Sequence, residues 1–344
     1  MSTVITILIA VLVFGAIIFF HELGHFTVAK LCGIQVDEFA IGMGPVLFRK
    51  KKNGTVYSIR ALPVGGFVAM EGENETLETS ASFSQKSVPK KLAVIAAGSF
   101  ANLAMGYLIL VALVIMNGYV GTTNVVKFNE NSVSEGVLQA GDKIVKINGH
   151  RVRTSNDITY EFLRDRDGLI ELTVNRGGET ISLQPIQFNM VPVDDEINAI
   201  EIDFKVAAVP MKPLDAVTYP VNWGISIVKQ VWGSLIDLLT GRYTLNQLSG
   251  PVGVATAIGE ASKQGLDTFL LMAAFIAINI GVFNLLPFPV LDGGKLVQIV
   301  IEGIIRRPIP DKVIGAINAG GIVLLVGLML FATYNDIARL LFGA

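Results

Sequence analysis

The sequence predicts a polytopic α-helical membrane protein with about four transmembrane helices, a membrane-associated β-hairpin or sheet in one loop, and an inserted α+β domain. Three observations predict it. Of 344 residues, 51% are hydrophobic and only 16% are charged, against about 25% charged in ordinary soluble domains. Four stretches without a charged side chain are long enough to span a bilayer: Met1–Phe20, Leu92–Met116, Thr268–Leu291 and Val313–Asn335. Between the second and third of these the composition becomes that of a soluble domain. The net charge of −2 gives no electrostatic reason to expect a nucleic-acid partner. The single cysteine, Cys32, excludes an internal disulfide and a multi-cysteine zinc cluster, and reads as a small apolar filler near a helix end.

The first stretch continues as an apolar helix pattern towards Lys30. It lacks a basic leading region and a small-residue cleavage site, so it reads as a retained span rather than a signal peptide. The following loop is basic (Lys30, Arg49 to Lys52, Arg60, Lys86, Lys90, Lys91), and so is the link between spans three and four (Arg306, Arg307, Lys312). Both loops are expected on the cytoplasmic side, which puts the inserted domain and both termini outside. The loop over residues 33–75 alternates apolar positions, with turn signals at Gly42–Pro45 and a hairpin signal at Asn53–Gly54. Its apolar "RALPVGGFVAM" favours a sheet dipping to membrane depth, over a plain cytoplasmic hairpin. The region 1–119 therefore forms the first part of a membrane core.

Residues 120–205 read as one small module, with a strand at Lys143–Asn148, a turn at Asn148–Gly149 and a hairpin turning at Gly177–Gly178. In Leu214–Thr240, Val221, Ile225, Val228, Trp232, Leu235 and Leu239 form one helical stripe, while Lys229 and Asp237 make it a poor span. It is expected to lie on the outer membrane face, within a 206–266 helix-and-linker segment. Residues 267–344 complete the membrane core with spans three and four.

The first span ends in "FFHELGHF", Phe19 to Phe26. Ionisable groups at that depth cost roughly 2.5–3.5 kcal/mol each if charged and are functional by default. On a helix His21 and His25 share one face, and Glu22 lies beside it. That is the H-E-x-x-H pattern: two histidines hold zinc and the glutamate acts as general base. A hydrolytic zinc takes a third protein ligand. His150 lies in the inserted domain, Glu302 too near the surface, and Asp336 at the far end of span four. Asp292, in "FNLLPFPVLDGG", lies on the same side as the histidines. Pro287 and Pro289 break the helix there, as expected beside a site at membrane depth, although Asp292 could also simply cap a helix. Asn284 could hold a substrate amide or developing oxyanion, or stitch two helices. Gly65 and Gly66 would permit close backbone approach, or simply turn the chain.

"HELGHF" together with "NLLPFPVLDGG" resembles the site-2 protease family of intramembrane zinc metalloproteases (the M50 type). "LPVGGFVAMEGE", "AGSFANLAMGY", "AGDKIVKINGHRV" and "LSGPVGVA" resemble its bacterial RseP-like branch, so the likeness covers nearly the whole chain. The resemblance implies a multi-pass zinc endopeptidase of the bacterial cytoplasmic membrane, binding one Zn2+ per chain through His21, His25 and Asp292. It also implies Glu22 as base, Asn284 beside the substrate and 120–205 as a single PDZ-like domain. The implied partners are the lipid bilayer and single-span membrane proteins or signal-peptide remnants. The first-loop strands would pair with an extended substrate segment. Two rival functions remain in the sequence: a non-catalytic scaffold, which would not need Glu22, and a metal transporter, which would want more than one ligand cluster.

Overall fold

The computed structural model describes residues 3–73, 79–192, 198–241 and 248–342. Its helices among these residues are α1 (Thr3–Leu31), α2 (Val88–Asn117), α3 (Ser155–Arg164), α4 (Asp215–Leu239), α5 (Pro251–Gln264), α6 (Leu266–Asn284), α7 (Asp292–Ile305) and α8 (Asp311–Phe342). Two compact units emerge: Met1–Ile109 with Gly233–Ala344, and Leu110–Trp232.

Among the described residues four helices are long and apolar enough to cross a bilayer: Val4–Leu31, Val88–Asn117, Leu266–Asn284 and Asp311–Leu341. Their outer faces carry bare apolar side chains, such as Leu12 and Val323, which are more than two-thirds exposed. Such surface in water would be an aggregation liability, and in lipid it is solvated. The protein is a membrane protein. The third span ends at Asn284, not at Leu291, because Pro287 and Pro289 interrupt the helix before α7 begins at Asp292. The fourth runs on past Asn335 to Phe342. Asp336 therefore lies inside a helix rather than ending one. It is buried, and it accepts hydrogen bonds from the Gly250 and Gly253 backbone N–H groups at the start of α5. A carboxylate there satisfies orphan donors and the helix dipole. Helix α5 itself occupies residues that the sequence suggested only as linker. Its Ile258 packs with Ala10 and Ile17 of α1 and with Ile276 and Ala277 of α6.

The first loop holds β1 (Val36–Lys52) and β2 (Thr55–Met70). These are long strands rather than several short ones, but their register doubles back. Phe48–Lys52 pairs with Thr55–Ile59 around the Asn53–Gly54 turn, where both residues have positive φ. The segment Glu38–Ile41 then lies between two neighbours. One is Val56–Ile59, paired Glu38↔Val56 to Ile41↔Ile59, and the other is Gly66–Ala69, paired Ile41↔Gly66 to Glu38↔Ala69. Two strands thus make a four-ribbon sheet with Gly66–Met70 along one edge. Phe39, Val68 and Met70 pack with Ala29 of α1, Val94 and Ile95 of α2, and Ile299 of α7.

The second unit contains β3 (Tyr119–Phe128), β4 (Lys143–Ile147), β5 (His150–Arg151), β6 (Leu169–Ile170), β7 (Leu172–Arg176), β8 (Glu179–Ser182), β9 (Ile186–Gln187), β10 (Met190–Pro192), β11 (Asn198–Ile200) and β12 (Phe204–Pro210). The main sheet runs β12-β3-β4-β7-β8, with β5 on β4. The Gly177–Gly178 turn closes β7 onto β8. Helix α3 starts with a capping box between Thr154 and Asp157. Its Phe162 meets Phe188 and Phe204 edge-on inside the core. His150 is exposed and bonded to Glu161.

Candidate metal centre

Helix α1 runs unbroken through Leu31, so His21 and His25 lie one turn apart on one face. Their Nε2 atoms are 3.1 Å apart. Asp292, the first residue of α7, brings Oδ2 to 3.2 Å from His21 Nε2 and 3.4 Å from His25 Nε2. Glu22 lies beside them, lining the same cavity of about 810 Å³.

Glycines let the elements converge. A Cβ on Gly98 of α2 would stand 2.3 Å from His25 Nε2 and 2.8 Å from His21 Cε1. One on Gly24 would meet the Ala97 carbonyl oxygen at 2.4 Å. Small residues thus set the α1–α2 crossing, as in other membrane helix pairs. The "DGG" run has the same cause: a Cβ on Gly293 or Gly294 would strike the Leu286 or Phe288 carbonyl oxygen of the preceding turn. That turn also holds Val290 at φ 78°, a conformation seldom adopted by β-branched residues.

The surrounding hydrogen bonds orient the donors. His25 Nδ1–H donates to the Val94 carbonyl at 2.8 Å, which leaves Nε2 with a free lone pair. Ser99 Oγ–H reaches Asp292 Oδ2 at 3.4 Å. Asn102 is fully buried, with its amide nitrogen 3.4 Å from His21 Nδ1 and its Oδ1 unpartnered. The two amide ends differ little in shape. Turning the amide over would let Oδ1 accept from His21 Nδ1–H and leave that ring's Nε2 free as well.

These donors fit zinc. Bonds of about 2.0–2.1 Å to nitrogen and oxygen in a tetrahedron place ligand atoms about 3.3–3.4 Å apart, and the observed triangle has edges of 3.1, 3.2 and 3.4 Å. Two imidazoles and one carboxylate leave one position for water or substrate.

The other residues singled out in the sequence fall at different distances from this triangle. Pro287 and Pro289 line the cavity. A Cβ on Gly66 would lie 3.1 Å from Glu22 Cγ, so the sheet edge passes directly beside that side chain. Gly65, at φ 88°, abuts Met43 instead, and neither it nor Asn284 lines the cavity. Asn284 is half-buried at the last turn of α6. The sequence alone assigned no role to Gly98, Ser99 or Asn102. Only the "AGSFAN" string, which contains all three, carried a signal. Nor did the sequence point to the ion pair between Glu73, just past β2, and Lys295 of α7, both at the cavity wall.

Comparison with known proteins agrees in kind. The family model described as Peptidase family M50 matches residues 9–328. A Clostridium perfringens protein whose name classes it as a candidate zinc metalloprotease is 37% identical over 335 residues, covering 96% of this chain and 98% of its own. The Bacillus subtilis "Regulator of sigma-W protease RasP" is 30% identical over 420 aligned positions, covering 97% of this chain and 99% of its own. The Shouchella clausii "Zinc metalloprotease RasP" is 29% identical, with 97% and 99% covered. With a catalytic-type motif in its first span and similarity along almost its full length, the chain belongs to peptidase family M50, the site-2 proteases, and is a zinc metalloprotease.

Proposed function

We propose that this protease cuts peptide bonds within or near the transmembrane segments of single-span membrane proteins, with an anti-sigma factor or a signal-peptide remnant as the substrate class. The name of the Bacillus subtilis relative, a regulator of sigma-W, supports the first of these. His21, His25 and Asp292 hold the ion. Zinc bound there would polarise the scissile carbonyl and bring water to a reactive acidity near neutral pH. Glu22 accepts the proton of the attacking water and returns it to the leaving amine. Val94, Ser99 and Asn102 keep the three donors aimed.

The observation that carries this reading is the sheet edge. Gly66–Met70 pairs on one side with Val36–Ile41 and has no strand partner on the other among the described residues, and it runs past Glu22 into the cavity. A substrate helix must unwind before its carbonyl can react. An extended segment added to that edge would regain partners for its freed N–H and C=O groups, each of which would otherwise cost several kcal/mol in lipid. Asn284, at the broken end of α6, is assigned to the substrate's side, and Pro287 and Pro289 are assigned to the cavity wall that the substrate meets. A scaffold would have no use for Glu22 at that place.

Residues 120–205 are assigned as a PDZ-like domain outside the membrane, with the metal centre towards the cytoplasmic face and α4 lying on the outer interface. The domain either captures a substrate C-terminus or excludes bulky outer domains. Amidating the substrate's C-terminus slows cleavage in the first case, and enlarging its outer domain does so in the second.

The test of the core proposal uses full-length protein and a tagged single-span substrate, with zinc measured on the same preparations. Glu22→Gln is expected to retain zinc and lose about 10²–10⁴-fold in cleavage, the usual worth of a positioned base. Asp292→Ala is expected to lose both. Normal cleavage by Glu22→Gln would reject the base assignment.

A further inference from the structure

A second cavity, of about 370 Å³, opens between α1 and the face of the loop sheet. Its size lies within the range of small-molecule sites, about 300–1,000 Å³. Phe19, Leu23 and Phe26 supply one wall, and Phe39, Phe48 and Tyr57 are among the residues of the other. Phe26, Phe39 and Tyr57 meet at ring-centroid distances of 5.2–6.3 Å. Tyr57 and Ser58 are the only lining residues with polar side-chain atoms, and the Ser58 hydroxyl already donates to Glu38 at 2.6 Å. The cavity is thus an apolar slot. Its outer rim is also apolar, with Phe48 60% and Ile59 50% exposed.

Both walls turn from apolar to cationic at the same end. On α1, Phe19, Leu23, Phe26 and Lys30 follow one another at steps of three and four along one face. Lys30 Nζ lies 6.0 Å from the Phe26 ring, at the close of the span Val4–Leu31. On the sheet, Phe48 pairs with Ile59, Lys50 with Tyr57 and Lys52 with Thr55. Directly paired residues share a face, so Lys50 and Lys52 project on the slot side, in line after Phe48. The Thr55 end of the sheet is the Val36 end, since Thr55 Oγ1–H donates to the Val36 carbonyl, and Val36 packs with Ala29 beside Lys30. Lys30, Lys50 and Lys52 therefore belong to one end of the slot. None has an acidic partner among the described residues, and Asp37, at the same end, forms no ion pair with them. Aromatic walls at acyl-chain depth with unpaired ammonium groups at headgroup depth complement one kind of molecule.

We propose that this slot is a binding site for an anionic phospholipid, with an acyl chain against Phe19, Leu23, Phe26, Phe39 and Tyr57 and the headgroup phosphate on Lys30, Lys50 and Lys52. It is separate from the metal centre, because Leu23 and Phe26 face it while Glu22 faces the other cavity. A lipid there braces the sheet against α1. Cations near a charged bilayer surface attract anionic lipid additively, so selectivity rather than mere wetting is the signature of the site.

The test uses full-length Tyr57→Trp protein in phosphatidylcholine bilayers. Part of the lipid carries brominated acyl chains, either as phosphatidylglycerol or as phosphatidylcholine at equal mole fraction. Quenching of the native tryptophans, measured on protein without the substitution, is subtracted. The introduced indole is expected to be quenched preferentially by the brominated phosphatidylglycerol. Adding Lys50→Gln with Lys52→Gln should lower that preference by up to about 30-fold, the combined effect of two surface cations. Retained zinc content shows that these variants fold. Equal quenching by both lipids would mean ordinary bilayer contact and would overturn the site. So would absence of quenching by either, which would mean that protein, a substrate helix included, fills the slot.

Discussion

Three carboxylates in two regions of the molecule, two of them buried and Asp292 partly so, differ in their company. In the β-rich unit, Asp203 accepts from the Ser132 hydroxyl and from both the backbone N–H and the hydroxyl of Ser134. In the membrane unit, Asp336 takes two backbone N–H groups of α5. Asp292 instead has one long hydrogen bond from Ser99 and turns its Oδ2 towards two ring nitrogens. The first two are saturated by hydrogen-bond donors and hold structure together. The third stands with two imidazole nitrogens within 3.4 Å of one oxygen, a donor set that a cation would satisfy together. Depth in the membrane does not by itself mark a chemical role, since Asp336 is at least as buried. What marks it is the convergence of two ring nitrogens and a carboxylate oxygen on one point.

That contrast can be broken at either end. The largest effect is expected from Gly98→Ala. The new methyl carbon would fall 2.3 Å from His25 Nε2, so zinc and cleavage should be lost together while the helical signal in circular dichroism stays. Full zinc occupancy in this variant would mean that the rings are free to move away from α2. Next is Asn102→Ala, which removes the group beside His21 Nδ1. Outer-shell partners of metal ligands are worth about 10–100-fold in affinity or activity, and competition with a chelator measures this directly. An unchanged zinc affinity would show Asn102 to be packing alone.

At the saturated end, Asp203→Ala strands the donors of Ser132 and Ser134. It should cost about 1–3 kcal/mol in the β-rich unit, read as faster amide exchange there, with zinc content unaltered. A loss of zinc would mean that the two kinds of carboxylate are not as separable as their surroundings suggest. The smallest effect concerns acid. Hydrogen bonds from Arg176 hold the Asp142 carboxyl below the usual carboxylate range. Because the folded-state value is the lower one, the stabilisation is complete above the unfolded value, about 3.9, and disappears as pH falls through the folded value. Amide exchange in β4 and β7 should therefore rise below about pH 4. Arg176→Ala should flatten that dependence, and an identical profile in the variant would assign the acid sensitivity to other groups.

The parts of the site that were legible in the sequence lie close together along the chain. His21, Glu22 and His25 occupy one helical turn, and Asp292 is flagged by two prolines and two glycines within eight residues. The span positions follow from unbroken apolar runs, since length and hydropathy alone decide them. What escaped depends on pairing between distant segments. Gly98, Ser99 and Asn102 sit in an apolar run whose composition gives no sign that one face meets two imidazoles. Glu73 and Lys295 are separated by more than two hundred positions. Helix α5 is short and rich in small residues, and its first turn is completed by a carboxylate from α8. The doubled register of the loop sheet is set by Gly42 and Gly44, both at positive φ. The sequence displays them as turn signals without saying that the same strand will be used twice.

The measurement closest to the central claim is zinc X-ray absorption on purified full-length protein, with metal content determined on the same sample. One zinc per chain in a shell of nitrogen and oxygen only, two of its neighbours imidazoles, with the signal lost in Asp292→Ala, is the predicted result. A sulfur neighbour, which in this chain would have to come from Cys32 or a methionine, or an unchanged zinc shell in Asp292→Ala, would contradict the assignment of His21, His25 and Asp292.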